Sequence, residues 1–195
     1  MKKLIALMFV LILFLCTTKA QCYKELVIAK TIYQIDCGKN GKGMITLVLP
    51  LLSFDNYKIT LQFGSENSRE RFKGRLIYTK EKWLEWDQTC LENNITEINK
   101  EIEYKAKGIE KPLATFGDYT DSTKPVCFYV RKNNSSRIVL MTGELEYSLN
   151  KFITSEGGYM VFLTPDELQM LIDIIDEEQI AEYMKNKEDK SSLLK

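Results

Sequence analysis

The spacing of apolar residues changes along this chain between the period of a strand and that of a helix. In the first part, apolar, β-branched and aromatic residues form short runs separated by turn residues. These runs predict strands over Glu25–Asp36, Met44–Leu52, Tyr57–Phe63 and Arg75–Thr79. The glycine-rich stretch Gly38–Gly43 contains Asn40-Gly41, the pair that favours a tight hairpin, so we expect an antiparallel meander.

From Glu81 to Lys105 the spacing becomes that of a helix. Apolar residues recur every three or four positions, which predicts one face of an amphipathic helix. They are Trp83, Trp86, Cys90, Leu91, Ile95, Ile98 and Ile102. Asn93-Asn94 is a weak point that could divide this helix in two, with Asn94 capping the second part.

Strand spacing then returns, and a helical segment follows it. Four further strands are predicted, over Val126–Arg131, Ile138–Thr142, Glu144–Leu149 and Tyr159–Leu163. Thr164-Pro165-Asp166-Glu167 supplies a capping hydroxyl, a proline at the first helical position and a glutamate at the third. The buried stripe of that helix is predicted to be Leu168, Leu171, Ile172 and Ile175. A last short helix begins at Asp176–Glu178, and residues 189–195 are expected to fray.

Together these elements predict an α+β fold. It consists mostly of antiparallel sheet, with one central amphipathic helix and a C-terminal helical cap. We assign residues 21–188 to a single domain, since about 175 residues make one ordinary domain.

The first twenty residues have the order of a cleavable secretory signal. Lys2 and Lys3 precede an apolar run from Leu4 to Cys16, and small or polar residues lead to a cut after Ala20. A retained membrane anchor is the alternative, but that run is shorter than the ~20 apolar residues that a spanning helix needs. The residues before Cys16 and Cys22 are Leu15 and Gln21, whereas a lipid-anchored protein usually has a small residue there. We therefore expect a periplasmic or secreted mature chain without a transmembrane span.

The signal segment resembles those of a known group of exported proteins. The short Lys-Lys start and the Ala20-Gln21 cut resemble those of exported bacterial proteins, in particular of the Bacteroides group. Removal of the signal takes away three lysines and no acid, so a chain with equal acids and bases becomes slightly acidic. Such a mild charge does not favour nucleic acid as a partner.

Four cysteines remain after the signal: Cys22, Cys37, Cys90 and Cys127. An even number in an exported chain suggests disulfides, with three connectivities open. If 24–36 is one extended strand, Cys22 and Cys37 are too far apart to pair unless that segment folds back. A Cys90–Cys127 bond would tie the central helix to a strand and is our preferred pairing, with buried free thiols as the alternative.

The chain contains no histidine, which excludes several kinds of catalysis. Ser-His-Asp and Cys-His mechanisms and ordinary catalytic zinc sites all need it. No Cys-x-x-Cys, Ser-x-x-Lys or Gly-x-Ser-x-Gly motif is present. The glycine-rich stretch is followed by a strand pattern, so it does not resemble a phosphate-binding loop. We expect no cofactor, no metal and no catalytic residue that the sequence can identify.

The candidate binding residues are basic and alternate along the chain. Arg69, Arg71, Lys73 and Arg75 would line one face of a strand and could contact an anionic polymer or an acidic partner. The alternative is a charged edge strand that resists aggregation.

Three weaker candidates involve acids and tryptophans. Asp118 and Asp121 could bind calcium, although a solvated turn is the simpler interpretation. Glu144 and Glu146 share a strand face, as a carboxylate pair of a glycosidase could. The tryptophan pair of the helix could stack on sugars, but its place in the apolar stripe favours the core.

These observations favour an exported, non-catalytic binding module of a bacterial envelope. Its partner would be another envelope or secreted protein, or an anionic polymer, and an inhibitor or immunity-type role fits the size. The alternative is a carboxylate-based hydrolase of envelope polymers, which requires acids that converge in a pocket. A carrier of a small apolar ligand would require a large cavity in the sheet.

Overall fold

The structure is a computed structural model, and it describes most of the chain beyond the expected signal. The described residues are 24–37, 45–50, 58–63, 65–105, 113–116, 119–143, 145–147, 150–155 and 157–192. The expected signal at 1–20, Cys22, the glycine-rich turn 38–43, Asp118 and Glu144 lie outside them.

Twelve strands form three antiparallel sheets within the described residues. The six-stranded sheet has the order β1-β2-β3-β4-β6-β7, the four-stranded sheet β12-β9-β8-β5, and β10 pairs with β11. The strands are β1 (Lys24–Ile28), β2 (Thr31–Cys37), β3 (Ile45–Pro50), β4 (Lys58–Phe63), β5 (Ile98–Ile102), β6 (Leu113–Phe116), β7 (Tyr119–Ser122), β8 (Val126–Lys132), β9 (Ser135–Met141), β10 (Leu145–Tyr147), β11 (Asn150–Ser155) and β12 (Tyr159–Phe162).

Three helices accompany these sheets: α1 (Glu66–Glu92), α2 (Pro165–Ile174) and α3 (Glu177–Ser192). The predicted α+β class, with antiparallel sheet, a central helix and a C-terminal helical cap, is confirmed. The cap of α2 forms as the sequence indicates, because the Thr164 hydroxyl accepts a hydrogen bond from the backbone N–H of Glu167 at 3.3 Å.

The central helix α1 begins much earlier than predicted, so the strand predicted over Arg75–Thr79 is wrong. Ser65 is the N-cap, and its hydroxyl accepts a hydrogen bond from the backbone N–H of Ser68 at 3.2 Å. The buried face includes Phe72, Leu76, Thr79, Trp83 and Cys90. This spacing of three, four and seven residues places all five side chains on one side of a continuous helix.

The end of the predicted helix is also wrong, because the chain turns at the asparagines and continues as a strand. Asn94 has a φ of 54°, the left-handed conformation that asparagine tolerates better than most residues. Beyond it, β5 pairs with β8, with Ile98 opposite Arg131 and Ile102 opposite Cys127. The predicted weak point is therefore real, and a strand follows it instead of a second helix.

The predicted single strand over Glu25–Asp36 is a β-hairpin. The two-residue turn Ala29-Lys30 has φ values of 48° and 67°, which match the type I′ turn of tight hairpins. The chain folds back so that Lys24 lies opposite Ile35 and Ile28 opposite Thr31. The distance argument against a Cys22–Cys37 disulfide assumed that residues 24–36 form one extended strand that does not fold back. That assumption is wrong.

One hydrophobic cluster joins the two larger sheets to the helices. It includes Leu47 and Leu61 of the six-stranded sheet, Tyr129 and Leu140 of the four-stranded sheet, and Leu171 of α2, all at most 1 % exposed. Helix α1 contacts α2 and β4, and α2 contacts β1 and β12. Within the described residues, none of the helices is long and apolar enough to cross a membrane.

Candidate functional site

The four basic residues singled out in the sequence lie on helix α1, so they cannot line a strand face. Successive helical residues are rotated by about 100°, which turns Arg71 about 200° away from Arg69. Arg69 and Arg75 are buried, at 4 % and 5 % exposure, whereas Arg71 is half-buried. The structure does not bring the four side chains together into one surface.

Two of these basic residues attach α1 to the start of α3. The Arg69 guanidinium donates hydrogen bonds to both carboxylate oxygens of Glu177, one of them at 2.9 Å. Lys73 forms an ion pair with Asp176, which holds the pKa of the Asp176 carboxyl below its usual range and raises the pKa of Lys73. These contacts give Arg69 and Lys73 a role within the fold.

Arg75 is also engaged inside the protein. Its guanidinium lies 5.1 Å from the centroid of the Tyr104 ring, and burial lowers its pKa. The Tyr104 hydroxyl approaches the neighbouring Gly74 so closely that a Cβ there would come within 2.7 Å of it. A larger residue at this position would require the Tyr104 side chain to shift away from Gly74.

Cys90 and Cys127, the pair that we preferred as a disulfide, are both buried free thiols. Cys127 faces Thr79 on α1, and Cys90 lies eleven residues further along the same helix. That interval corresponds to about 16 Å at 1.5 Å per residue, whereas disulfide Cα atoms lie within about 7 Å. The preferred pairing is therefore wrong for these two cysteines.

The Cys127 thiol is expected to be unreactive at neutral pH. Complete burial raises its pKa to about 11, and the Thr79 hydroxyl and Arg75 charge nearby oppose this only weakly. The Thr79 hydroxyl faces the thiol without a hydrogen bond of normal geometry. A thiol with so high a pKa is a poor nucleophile at neutral pH.

The hairpin register leads to a different prediction for the other two cysteines. Lys24 pairs with Ile35, so the chain returns at the hairpin turn, while Cys22 itself lies outside the described residues. We predict that the mature chain, in an oxidising compartment, carries a Cys22–Cys37 disulfide, formed when both thiols lose a proton and an electron to an oxidising thiol–disulfide exchange partner. Peptide mapping without reduction should find these two peptides linked.

The same mapping should find Cys90 and Cys127 alkylated only after unfolding, because both are buried. Free alkylation of Cys22 in the native protein, or a linked Cys90–Cys127 peptide, would contradict the prediction. A Cys22→Ser variant is the matched control, since it should leave Cys37 as a free thiol without changing the other two.

A hydrolase of the kind considered above would need acids that converge in one pocket. In three surface cavities among the described residues, the linings contain one carboxylate, that of Glu103. No group of three or more cysteine, aspartate or glutamate residues in the described part of the chain could hold a metal ion. Trp83 is 1 % exposed, so it belongs to the core as the simpler interpretation expected.

The outer strands of the two larger sheets differ in how they are covered. β7 contacts β10, and β12 contacts β3. On β5, Lys100 lies on the face toward the helix, and Asn99 and Glu101 are exposed on the other face. Because β5 thus carries a charge on each face, it is protected from pairing with another strand. β1 carries an apolar side chain, Val27, on its exposed face, at 57 % exposure.

The geometry of β1 favours addition of another strand. In a hairpin closed by a two-residue turn, the pair next to the turn is hydrogen-bonded and the next pair is not. Val27 and its partner Ile32 form that second pair, so the backbone N–H and C=O of Val27 point away from β2. Ile32 is 61 % exposed, and the two side chains form a small apolar surface beside these backbone groups.

The hairpin itself is held firmly by its inner face. The backbone N–H of Ala29 donates to the Glu167 carboxylate at 3.0 Å, which fixes the turn against α2. Tyr33, on β2, is 2 % exposed and lies within hydrogen-bonding reach of the backbone of Val161 on β12. Its pKa is raised, chiefly by burial.

No protein-family model, no curated protein and no solved structure matches this chain. The assignment of function therefore rests on the residues themselves. A rigid hairpin that presents outward backbone groups and exposed apolar side chains can bind an extended segment of another chain by main-chain hydrogen bonds.

Proposed function

We propose that this protein is an exported binding module of a bacterial envelope, located in the periplasm or outside the cell. It accepts an extended segment of a partner protein as an additional strand along β1. The observation that carries this proposal is the outer edge of β1, where the Val27 backbone points outward beside the exposed Val27–Ile32 pair.

The chemistry of this edge supports a polypeptide partner. Each outward-facing residue of β1 offers one N–H donor and one C=O acceptor. The backbone of an extended segment supplies the matching acceptor and donor. Val27 and Ile32 then supply an apolar contact for one side chain of the added strand, which adds selectivity to the main-chain hydrogen bonds. An anionic polymer has less support, since Arg69, Lys73 and Arg75 make their contacts inside the fold.

Export is supported by the order of charge and hydrophobicity in residues 1–20. A module that covers a segment of an exported partner fits an inhibitor or immunity-type role. No cavity described above favours the alternative of a carboxylate-based hydrolase.

We predict that Val27→Pro abolishes partner binding while the fold survives. Proline removes one N–H and blocks strand addition, and it is tolerated in an edge strand where the N–H faces outward. The test places a photo-crosslinking amino acid at position 27 in the tagged mature protein within the source envelope. We expect one partner protein to be crosslinked there and to be lost from co-purification with Val27→Pro.

The matched control is a crosslinker at Leu91, which is 61 % exposed on helix α1 and far along the chain from β1. It should not capture the same partner. Val27→Ala, which keeps the N–H, should weaken binding without abolishing it. Crosslinking of position 27 to a second copy of this chain, or unchanged co-purification with Val27→Pro, would overturn the proposal.

A further inference from the structure

A second feature, on the four-stranded sheet, is an apolar cavity at the end of α1. The helix ends in two hydrogen bonds that reverse the chain: the N–H of Ile95 donates to the carbonyl of Cys90 at 2.9 Å, and that of Asn94 to the carbonyl of Leu91 at 3.4 Å. This is the Schellman arrangement, and it brings the residue after the turn back toward the last turn of the helix. Ile95 and Cys90 consequently line the same cavity.

The walls of the cavity come from α1, β5 and β8. Lys100 lies opposite Tyr129 in the β5–β8 ladder, and Ile98 precedes it on the same face of β5. The rings of Trp86 and Tyr129 meet edge to face, with centroids 5.6 Å apart. We call this cavity the aromatic socket, and its lining comprises Trp86, Cys90, Ile95, Ile98, Lys100 and Tyr129, with Thr89 at its side.

Two hydroxyls of the aromatic socket are hydrogen-bonded to groups outside it, whereas the Lys100 ammonium makes no such bond within the described part of the chain. The Tyr129 hydroxyl donates to Asp87, and the Thr89 hydroxyl donates to the carbonyl of Glu85. The Lys100 ammonium lies 4.6 Å from the centroid of the Trp86 ring, and no ion pair with Lys100 occurs among the described residues. The lining therefore combines an apolar interior with a single exposed positive charge.

The size of the socket limits what can enter. Its volume is about 150 Å³. An enclosed apolar cavity of about this volume binds a benzene-sized molecule, and the socket, which is partly open to solvent, has room for the same ring. The edge-to-face pair of Trp86 and Tyr129 favours an aromatic ring over an aliphatic chain, because ring quadrupoles prefer offset or perpendicular neighbours.

We propose that the aromatic socket binds a small monoanionic aromatic molecule, with its ring against Trp86 and its carboxylate at Lys100. Charge complementarity selects the anion, since Lys100 is the one charged residue of the lining. This site is separate from the β1 edge and lies on a different sheet, so it does not depend on the proposed strand addition.

The test titrates the mature protein with phenylacetate and, separately, with the neutral analogue benzyl alcohol. Methyl resonances of Ile95 and Ile98 should shift in a saturable manner with both probes and show contacts to ligand ring protons. Lys100→Gln should weaken phenylacetate binding about fivefold, as expected for loss of an ion pair on an exposed side chain, and leave benzyl alcohol binding unchanged.

A second variant tests the socket itself. Ile98→Phe should fill the cavity and abolish binding of both probes, whereas Leu91→Phe adds the same ring on the exposed side of α1 and should change neither. Absence of saturable shifts at millimolar phenylacetate would overturn the proposal, as would equal effects of Lys100→Gln on both probes. Because Lys100 is exposed, its substitution tests the site even if Ile98→Phe fails to fold.

Discussion

Replacing Asp87 by alanine is expected to lower the free energy of unfolding by about 3 kcal/mol, the lower end of the cost of removing one partner of a buried ion pair, because the carboxylate itself is 30 % exposed. Asp87 lies on α1 and pairs with Arg131 of β8, whose side chain is only 3 % exposed. Without the carboxylate, the guanidinium charge keeps one neutral partner, the carbonyl of Ile95, to which its Nε donates at 2.9 Å. A buried charge without a counter-ion is costly.

The effect is large because the same carboxylate satisfies two further donors. The Tyr129 hydroxyl donates to it at 2.6 Å and the Ser136 hydroxyl at 2.7 Å, while Arg131 Nη1 lies 3.2 Å away. Burial and the bond to Asp87 raise the pKa of Tyr129, which keeps the hydroxyl protonated as a donor. One acid therefore joins α1 to two neighbouring strands, β8 and β9.

Urea denaturation of matched variants would check this prediction. Asp87→Asn should cost less than Asp87→Ala, because the amide oxygen still accepts from one hydroxyl. Glu85→Ala is the control on the same helix: its side chain is 57 % exposed and its ion pair is with Lys82, so we expect a loss of about 1 kcal/mol or less. Equal losses for Asp87→Ala and Glu85→Ala would contradict the role of the network.

The class of fold and helix α2 could be predicted because their signals are local, whereas α3 is longer than the short helix predicted and runs to Ser192, inside the tail expected to fray. Thr164 and Glu167 sit at the positions that a capping box requires, and the Thr164 bond forms as expected. The Glu167 carboxylate departs from the motif: it accepts from the N–H groups of Leu163 and Ala29, whereas a capping box has it accept from the N–H of the N-cap residue. The second of these contacts depends on the tertiary fold and has no local signal.

The start of α1 was missed because two patterns overlap there. Basic residues occupy every second position from Arg69 to Arg75. The run Arg75–Thr79 is rich in residues that favour strands. The apolar residues Phe72 and Leu76, followed by Trp83, already had helical spacing, and that signal was available in the sequence. Packing of that apolar face against the sheet and α2 decides the conformation over local preference.

The strand β5 was mistaken for a helix because its apolar residues fit both periods. Ile98 and Ile102 are four positions apart, which places them on one face of a strand and also on one face of a helix. The hairpin of β1 and β2 was missed because Ala29 and Lys30 are not turn residues. Their left-handed conformation is held by the bond from Ala29 to Glu167, which the sequence does not reveal.

The candidate sites were not predictable for the same reasons. The exposed Val27–Ile32 pair exists only because the chain turns at Ala29, and the aromatic socket exists only because it turns at Asn94. Asp87 also gave no signal, since a single acid between apolar helical positions resembles a solvent-facing residue. Its importance follows from the three donors that meet it across the helix–sheet interface.

Replacing Trp83 by alanine is expected to lower the free energy of unfolding by about 3–5 kcal/mol, as for other large aromatic side chains in cores. The ring is 1 % exposed, and its Nε1–H donates to the Ser136 hydroxyl at 2.8 Å. The substitution leaves a cavity between α1 and the four-stranded sheet. Leu84→Ala on the exposed side of the helix, at 52 % exposure, is the control, and we expect it to stay within about 0.5 kcal/mol.

Urea denaturation would measure both variants, and equal losses for Trp83→Ala and Leu84→Ala would contradict the prediction. A double variant tests the mechanism further, because Ser136 accepts from Trp83 and donates to Asp87. Residues that share a partner are coupled by about 0.5–3 kcal/mol, so Trp83→Ala with Asp87→Ala should cost less than the two single losses combined. Strict additivity would mean that Ser136 does not link the tryptophan to the carboxylate.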